Sequence, residues 1–352
     1  METAHRYRAF AEEAARGASP RYEEFALGVA EDRDVLAFLS TLPELKRQPN
    51  LLFAAVKYLA GVPPDYGAFH DFVIGHMDEL RQLMRTRSTQ TNEPGRCAVL
   101  LPLLASLRQP IALLEVGAAA GLCLLCDRYG YDYEGHRVGP ADAPVVFPCN
   151  PIGSVPLPER VPRVVWRCGV DLDPLDVTDP DTAAWLTALV WADNTDREER
   201  LQAALRIATV DAPPVLAGDI LGTIEPLAES APADATLVLF HSAVMPYLRP
   251  QDRTRFVERI SSLSTVWVSF EGRGVLPEID ARLPTSASDE DAFVASSQAD
   301  AHSLRRRCVV QEPLPASGPI QPGSGKKSIV RAAGAYSNRC TWLYTIRTQT
   351  RW

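Results

Sequence analysis

Apolar residues recur at three- and four-residue spacing through the first hundred positions, and from Pro110 onward they gather into short leucine- and valine-rich runs. The first pattern predicts helices over "HRYRAFAEEAARG", "EEFALGVAEDRDVLAFLSTL", "PNLLFAAVKYLAGVPP" and "FHDFVIGHMDELRQLMRTR", the last with basic residues in its final turn. The second predicts strands at Ile111–Val116, Arg163–Asp171, Pro214–Asp219, Ala235–His241 and Thr265–Glu271, with a late one at Cys340–Arg347. Helical patterns lie between them at Gly121–Arg128, Thr182–Ala208, Ile224–Ser230 and Pro250–Leu263. Strands alternating with helices predict an α/β fold, a mostly parallel sheet with helices on both faces. The expected division is a helical cap over 1–108 and a sheet domain over 109–352. Residues 129–162, rich in Pro and Gly, read as an insertion, and "QEPLPASGPIQPGSGKK" from Gln311 reads as a loop.

Ligands of an open parallel sheet bind beyond the carboxyl ends of its strands, so the residues at those ends are the candidates. The first end is Glu115-Val116-Gly117-Ala118-Ala119-Ala120-Gly121. Its glycines permit a tight turn, and a following helix would offer amide groups to an anion; a small-residue junction in a buried core fits the same letters. The second is Asp171, followed by Asp173-Pro174, where a carboxylate can accept from ribose hydroxyls or cap a helix. The third is Asp219 with Ile220, an acid and backbone placed to read an adenine edge, or again a cap. The fourth brings His241 and Ser242 to the end of the most hydrophobic strand, with Tyr247 a few residues on. Ser242 lacks the G-x-S-x-G elbow of a hydrolase nucleophile.

The whole chain narrows the partners. It has 352 residues, 46% hydrophobic, and a formal charge of −8, which argues against nucleic acid or an anionic membrane surface. The triplet Arg305-Arg306-Arg307 is too short to change that. No apolar run reaches the ~18 residues of a membrane span, and the start lacks a signal peptide's hydrophobic region, so a cytoplasmic location is expected. Seven scattered cysteines do not form a disulfide framework. Cys123 and Cys126 have CxxC spacing inside an apolar run with no second pair, and His70 and His76 are six apart, so no metal site is expected.

Glycine turn, acidic end, acidic end and polar loop, in that order over roughly residues 111–275, resemble the class I S-adenosylmethionine-dependent methyltransferases. That resemblance implies a Rossmann-like sheet with Glu115, Gly117, Ala118, Gly121, Asp171, Asp219, Ile220, His241 and Ser242 around S-adenosylmethionine. The chain departs from it in the reduced GAAAG turn and in the more than fifty residues between Glu115 and Asp171. At finer grain "LLEVGAAAGLCLLCDRYGYDY", "RCGVDLDPLDVTDPDTAAWLTALVWADN", "FHSAVMPYL" and "AYSNRCTWLY" resemble the bacterial family called domain of unknown function 2332. Met245 and Pro246 stand where that family tends to have Trp and Gln, and Ala335-Tyr336-Ser337-Asn338 replaces a His-Pro-His-Gly-like run.

The chemistry this implies is methyl transfer to a small molecule of specialised metabolism, aided by alignment of the reactants. His241 reads equally as the general base or as a satisfied histidine anchoring its loop, with Tyr247 and Tyr336 as further base candidates. The same pocket would also suit cyclisation of the cofactor's methionine chain with release of methylthioadenosine, and a cofactor-binding module without chemistry is a third reading. A nicotinamide dinucleotide site is disfavoured because the turn lacks G-x-G-x-x-G. Monomer and homodimer both stay open.

Overall fold

The computed structural model describes residues 2–152, 155–272 and 274–277, together with the backbone of three strands at 293–298, 328–334 and 341–347. Tyr336, the Ala335–Asn338 run, the Arg305–Arg307 triplet and the Gln311–Lys327 loop lie outside the described residues. The chain forms two compact units, one of Met1–Glu93 with Asp176–Asp211 and one of Pro94–Leu175 with Ala212–Arg351.

The first unit is helical. It holds α1 (Glu2–Ala9), which runs into a π-helical turn at Phe10–Ala15, then α2 (Pro20–Glu31), α3 (Arg33–Ser40), α4 (Pro49–Ala60), α5 (Tyr66–Gly75) and α6 (Met77–Thr86). Ser19, Asp32 and Asp65 cap three of these starts by accepting from the amides of Tyr22, Val35 and Ala68, the role short polar side chains play at N-caps. An aromatic core of Tyr7, Tyr22, Phe25, Phe53 and Phe69 sits between them, with Phe25 and Phe69 stacked at 4.7 Å.

After α7 (Cys97–Ser106) of the other unit, two later helices return to this one, α8 (Pro180–Ala188) and α9 (Thr195–Val210). Periodicity along the chain does not display that pairing. The reason for it is chemical. Trp185 of α8 joins the helical core, and Lys57 Nζ of α4 donates to the Thr187 and Val190 carbonyls and pairs with Glu198 of α9 at 2.5 Å. The helix expected over Thr182–Ala208 is broken in two around "VWADN", where the Asn194 amide turns back to the Trp191 carbonyl.

The second unit is built on a sheet. Its parallel part consists of β1 (Ile111–Val116), β5 (Val164–Asp171), β6 (Val215–Ala217), β7 (Thr236–Ser242) and β8 (Val266–Gly272); β2 (Gly130–Tyr133), β3 (His136–Val138) and β4 (Val146–Ile152) come from the expected insertion. The five parallel strands lie in the order β6-β5-β1-β7-β8. Beyond β8 the sheet continues through the antiparallel β9 (Phe293–Gln298), β11 (Thr341–Arg347) and β10 (Ser328–Gly334) to β4, β2 and β3. All of β1 is buried, as a parallel strand covered on both faces must be. One face packs Leu114, Val116, Val170 and Leu239 against Ile224 of α10 (Ile220–Glu229) and Phe256 and Ile260 of α11 (Pro250–Ser262).

One expected element is corrected. Gly121–Arg128 is not a helix but a single 3-10 turn, Leu122–Leu125, leading directly to β2. Its carbonyls have other donors: the Tyr129 hydroxyl bonds Leu122 at 2.8 Å, Arg167 Nη1 bonds Leu124 at 2.7 Å and the Tyr131 hydroxyl bonds Cys126 at 2.5 Å. These donors, from the insertion and β5, satisfy carbonyls of the turn. Among the described residues, no helix is long and apolar enough to cross a membrane.

Candidate functional site

The carboxyl ends of β5, β1, β7 and β8 bring most of the expected residues to one edge of the sheet, and each is held by an identifiable set of bonds. Three residues of the GAAAG turn have left-handed backbone: Gly117 (φ +70°), Ala119 (φ +50°) and Gly121 (φ +67°). The amides of Gly117 and Ala118 both donate to the Val170 carbonyl, that of Gly121 to Ala118, and that of Ala119 to Asp171 Oδ2 at 2.8 Å. The turn is thus tied to β5 and to itself, with the amides of Gly117, Ala118, Ala119 and Gly121 engaged within the protein. Glycine is required at both ends for packing. A Cβ on Gly117 would lie 2.4 Å from Val244 Cγ2, and one on Gly121 would lie 2.7 Å from Pro213 Cγ.

Asp171 pins this turn from the end of β5. Its Oδ1 accepts from the Asp173 amide at 2.9 Å while Oδ2 holds Ala119. A carboxylate has about four acceptor positions, so a half-buried Asp171 retains capacity for a ligand's hydroxyls. Asp219 is the cap its alternative reading describes. It is exposed and accepts from the Leu221 amide at 2.7 Å to start α10, while Ile220 turns into the core.

His241 is fully buried. Its Nε2 accepts from the Trp267 indole Nε1–H at 3.0 Å, and its Nδ1 meets Glu271 Oε1 at 2.6 Å. Indole is only a donor, so Nε2 carries no proton and Nδ1–H donates to the carboxylate. Both nitrogens are engaged within the protein, which favours the second of its two readings: in this arrangement His241 anchors a loop. Glu271 Oε1 also accepts from the amides of Val244 and Met245 at 3.0 and 3.3 Å, fixing the segment after β7 with Ala243 at φ +56°. Tyr247 is 87% exposed, pointing away from the buried groups rather than joining them.

The remaining buried polar groups are the informative ones. Glu115 is 5% exposed and its Oε2 has no hydrogen-bond partner; the buried Ser242 Oγ has none either. Glu115 lies level with Phe240 on the adjacent β7, two residues before Ser242, so with the two-residue repeat of a strand both side chains belong to the same face of the sheet. The Arg96 guanidinium donates to the Ser242 carbonyl at 3.1 Å. Burial pushes the Glu115 carboxyl well above the usual carboxylate range, Cys123 adds to the push, Arg96 works against it and Asp171 adds a smaller push. Strongly perturbed, unsatisfied groups of this kind mark binding and catalytic sites.

Arg96, Trp267 and Glu271 were not legible as site residues. Only Glu271 carried a signal, an acid closing an apolar run in "TVWVSFEG" as Glu115 does in "IALLEVG". The five described cysteines are buried thiols, Cys123 and Cys126 included. In the helical unit, Asp32, Asp34 and His70 place possible metal-ligand atoms within 4.8 Å of one another. Asp32 there already caps α3 and accepts from the Tyr66 hydroxyl at 2.9 Å.

The family model described as "Uncharacterized protein conserved in bacteria (DUF2332)" matches residues 4–307. The chain belongs to the DUF2332 family. No curated protein matches it. The DUF2332 match runs through both compact units and every strand end described above. Met245 is buried in the core under β7, and its amide is one of those held by Glu271.

Proposed function

We propose that this chain binds S-adenosylmethionine at the carboxyl ends of β5, β1 and β7 and acts as a transferase on a small molecule. The observation that carries the reading is the buried Glu115 carboxyl, with an oxygen lacking any partner, between two strand ends. Counted in chain order, the five parallel strands run 3-2-1-4-5 across the sheet, the order of a Rossmann-like fold's first five, and Glu115 is the next-to-last residue of the strand where the order reverses. A crevice at that reversal is where such sheets take nucleotide-containing ligands.

The residues present fit the group in part. A methionine ammonium would satisfy Glu115 and restore its charge, and the Ser242 hydroxyl can donate to the methionine carboxylate beside Arg96. Asp171 retains acceptor positions for ribose hydroxyls. Asp219 and His241 are engaged within the protein, so the adenine edge and the general base are not assigned to them. When bound, the cofactor supplies electrophilic carbons next to a sulfonium. The chain's contribution is then to hold the methionine end in a dry site and align it, a source of rate that requires no base.

Titration calorimetry tests this. S-adenosylmethionine should bind saturably, and Glu115→Gln should weaken it at least tenfold. Binding of nicotinamide dinucleotide in its place would refute the reading. Incubation with S-adenosylmethionine alone then separates the reactions: methylthioadenosine without an acceptor marks cyclisation, and S-adenosylhomocysteine only with an acceptor marks methyl transfer.

A further inference from the structure

We propose that Glu271 is a positioning residue for the ligand-binding edge, acting through His241 and Val244 on the glycine turn. The inference rests on the reading that this edge binds S-adenosylmethionine. Glu271, 2% exposed at the end of β8, gathers three donors on one oxygen: His241 Nδ1–H at 2.6 Å and the amides of Val244 and Met245 at 3.0 and 3.3 Å. Trp267, four residues earlier on the same strand, fixes the other side of the imidazole through its Nε1–H at 3.0 Å. The ring is therefore held in one tautomer and one orientation.

The segment so fixed is strained and purposefully aimed. Ala243 is left-handed at φ +56°, a conformation a side chain adopts only when its surroundings enforce it. The next residue, Val244, fills the space a Cβ on Gly117 would need, with Cγ2 2.4 Å from that position. Gly117 opens the turn that Asp171 holds at Ala119. A continuous set of contacts thus runs from Glu271 to the backbone of the turn that follows Glu115, and β7 and β1 are neighbours in the sheet. Glu271 touches no ligand in this account; it sets where the turn lies.

The test uses the full chain and S-adenosylmethionine as probe. Glu271→Ala should weaken binding at least tenfold, Glu271→Gln, whose carbonyl still accepts the same donors, should return it to within about threefold of the original, and Val244→Ala should reproduce the loss with Glu271 intact. Nitrogen-15 spectra should show His241 protonated at Nδ1 alone in the original and Glu271→Gln chains, with that single tautomer lost in Glu271→Ala. Affinity unchanged in a folded Glu271→Ala or Val244→Ala chain overturns the proposal. If Glu271→Ala does not fold, Val244→Ala and the Glu271→Gln rescue decide it. Absence of S-adenosylmethionine binding by the original chain would sink the cofactor reading instead. Hydrogen exchange at the Val244 and Met245 amides then decides for the lock itself: faster in Glu271→Ala and protected in Glu271→Gln supports it, unchanged in both overturns it.

Discussion

Replacing Gly117 by alanine perturbs the junction of β1 and β7 at one atom. The new Cβ would lie 2.4 Å from Val244 Cγ2, far inside van der Waals contact, at a residue whose φ of +70° disfavours any side chain. The left-handed backbone costs about 1–2 kcal/mol for a non-glycine residue. Displacing Val244, whose own amide is held by Glu271, is an overpacking term of about 1–3 kcal/mol. Together they amount to roughly 2–5 kcal/mol, a large share of a typical domain's stability. Val244→Ala relieves only the second term, so the double variant should be non-additive by about 0.5–3 kcal/mol in the stabilising direction. Urea unfolding followed by near-ultraviolet circular dichroism measures all three variants. A Gly117→Ala chain within about 0.5 kcal/mol of the original, or strict additivity in the double variant, would show that Val244 does not fill the glycine's space.

Three further outcomes follow from the same edge. Glu115 has its carboxyl raised in the folded chain by burial above all, so the folded state binds more protons than the unfolded one between the ordinary and the raised value. Stability from this group is therefore fully present below the ordinary carboxylate range and lost as pH rises from there through the raised value. Glu115→Gln should accordingly gain on the original chain as pH rises from acid to neutral, and a gap in thermal midpoint that does not widen in that direction contradicts the assignment. Trp267→Phe removes the donor to His241 Nε2 and leaves a buried acceptor unpaired, costing about 1–3 kcal/mol in chemical unfolding; a cost near zero would mean the ring finds another donor. Asp171→Asn keeps one acceptor oxygen where two hold the amides of Ala119 and Asp173. It should destabilise by about 1–3 kcal/mol and speed hydrogen exchange at Ala119, while unchanged exchange there would detach Asp171 from the turn.

The parallel strands were readable because buried strands are continuous apolar runs: Ile111–Val116 is found where the pattern placed it, and the strands ending at Asp171, Ser242 and Gly272 lie within about a residue of expectation. The insertion was not readable as structure. Pro148 and Pro151 sit within β4, and Pro within a run ordinarily argues against a strand. "LCLLCDR" was misread as a helix because an unbroken apolar run has no period to choose by; its carbonyls are bonded by the nearby Tyr129 and Tyr131 and the distant Arg167. At the site, residue types were legible and their partners were not. His241 reads equally as a base or a loop anchor until Trp267 and Glu271, twenty-six and thirty residues away, are seen on its two nitrogens. Asp219 reads equally as ligand contact or cap until the Leu221 amide is found on it.

The unsatisfied Glu115 carboxyl is what we propose marks a site for S-adenosylmethionine. Calorimetric titration of the full chain with that compound, beside Glu115→Gln, measures it most directly. The expected result is saturable binding by the original chain and binding at least tenfold weaker by the variant. Equal affinity for both chains, or no heat with S-adenosylmethionine from a folded original chain, would contradict it.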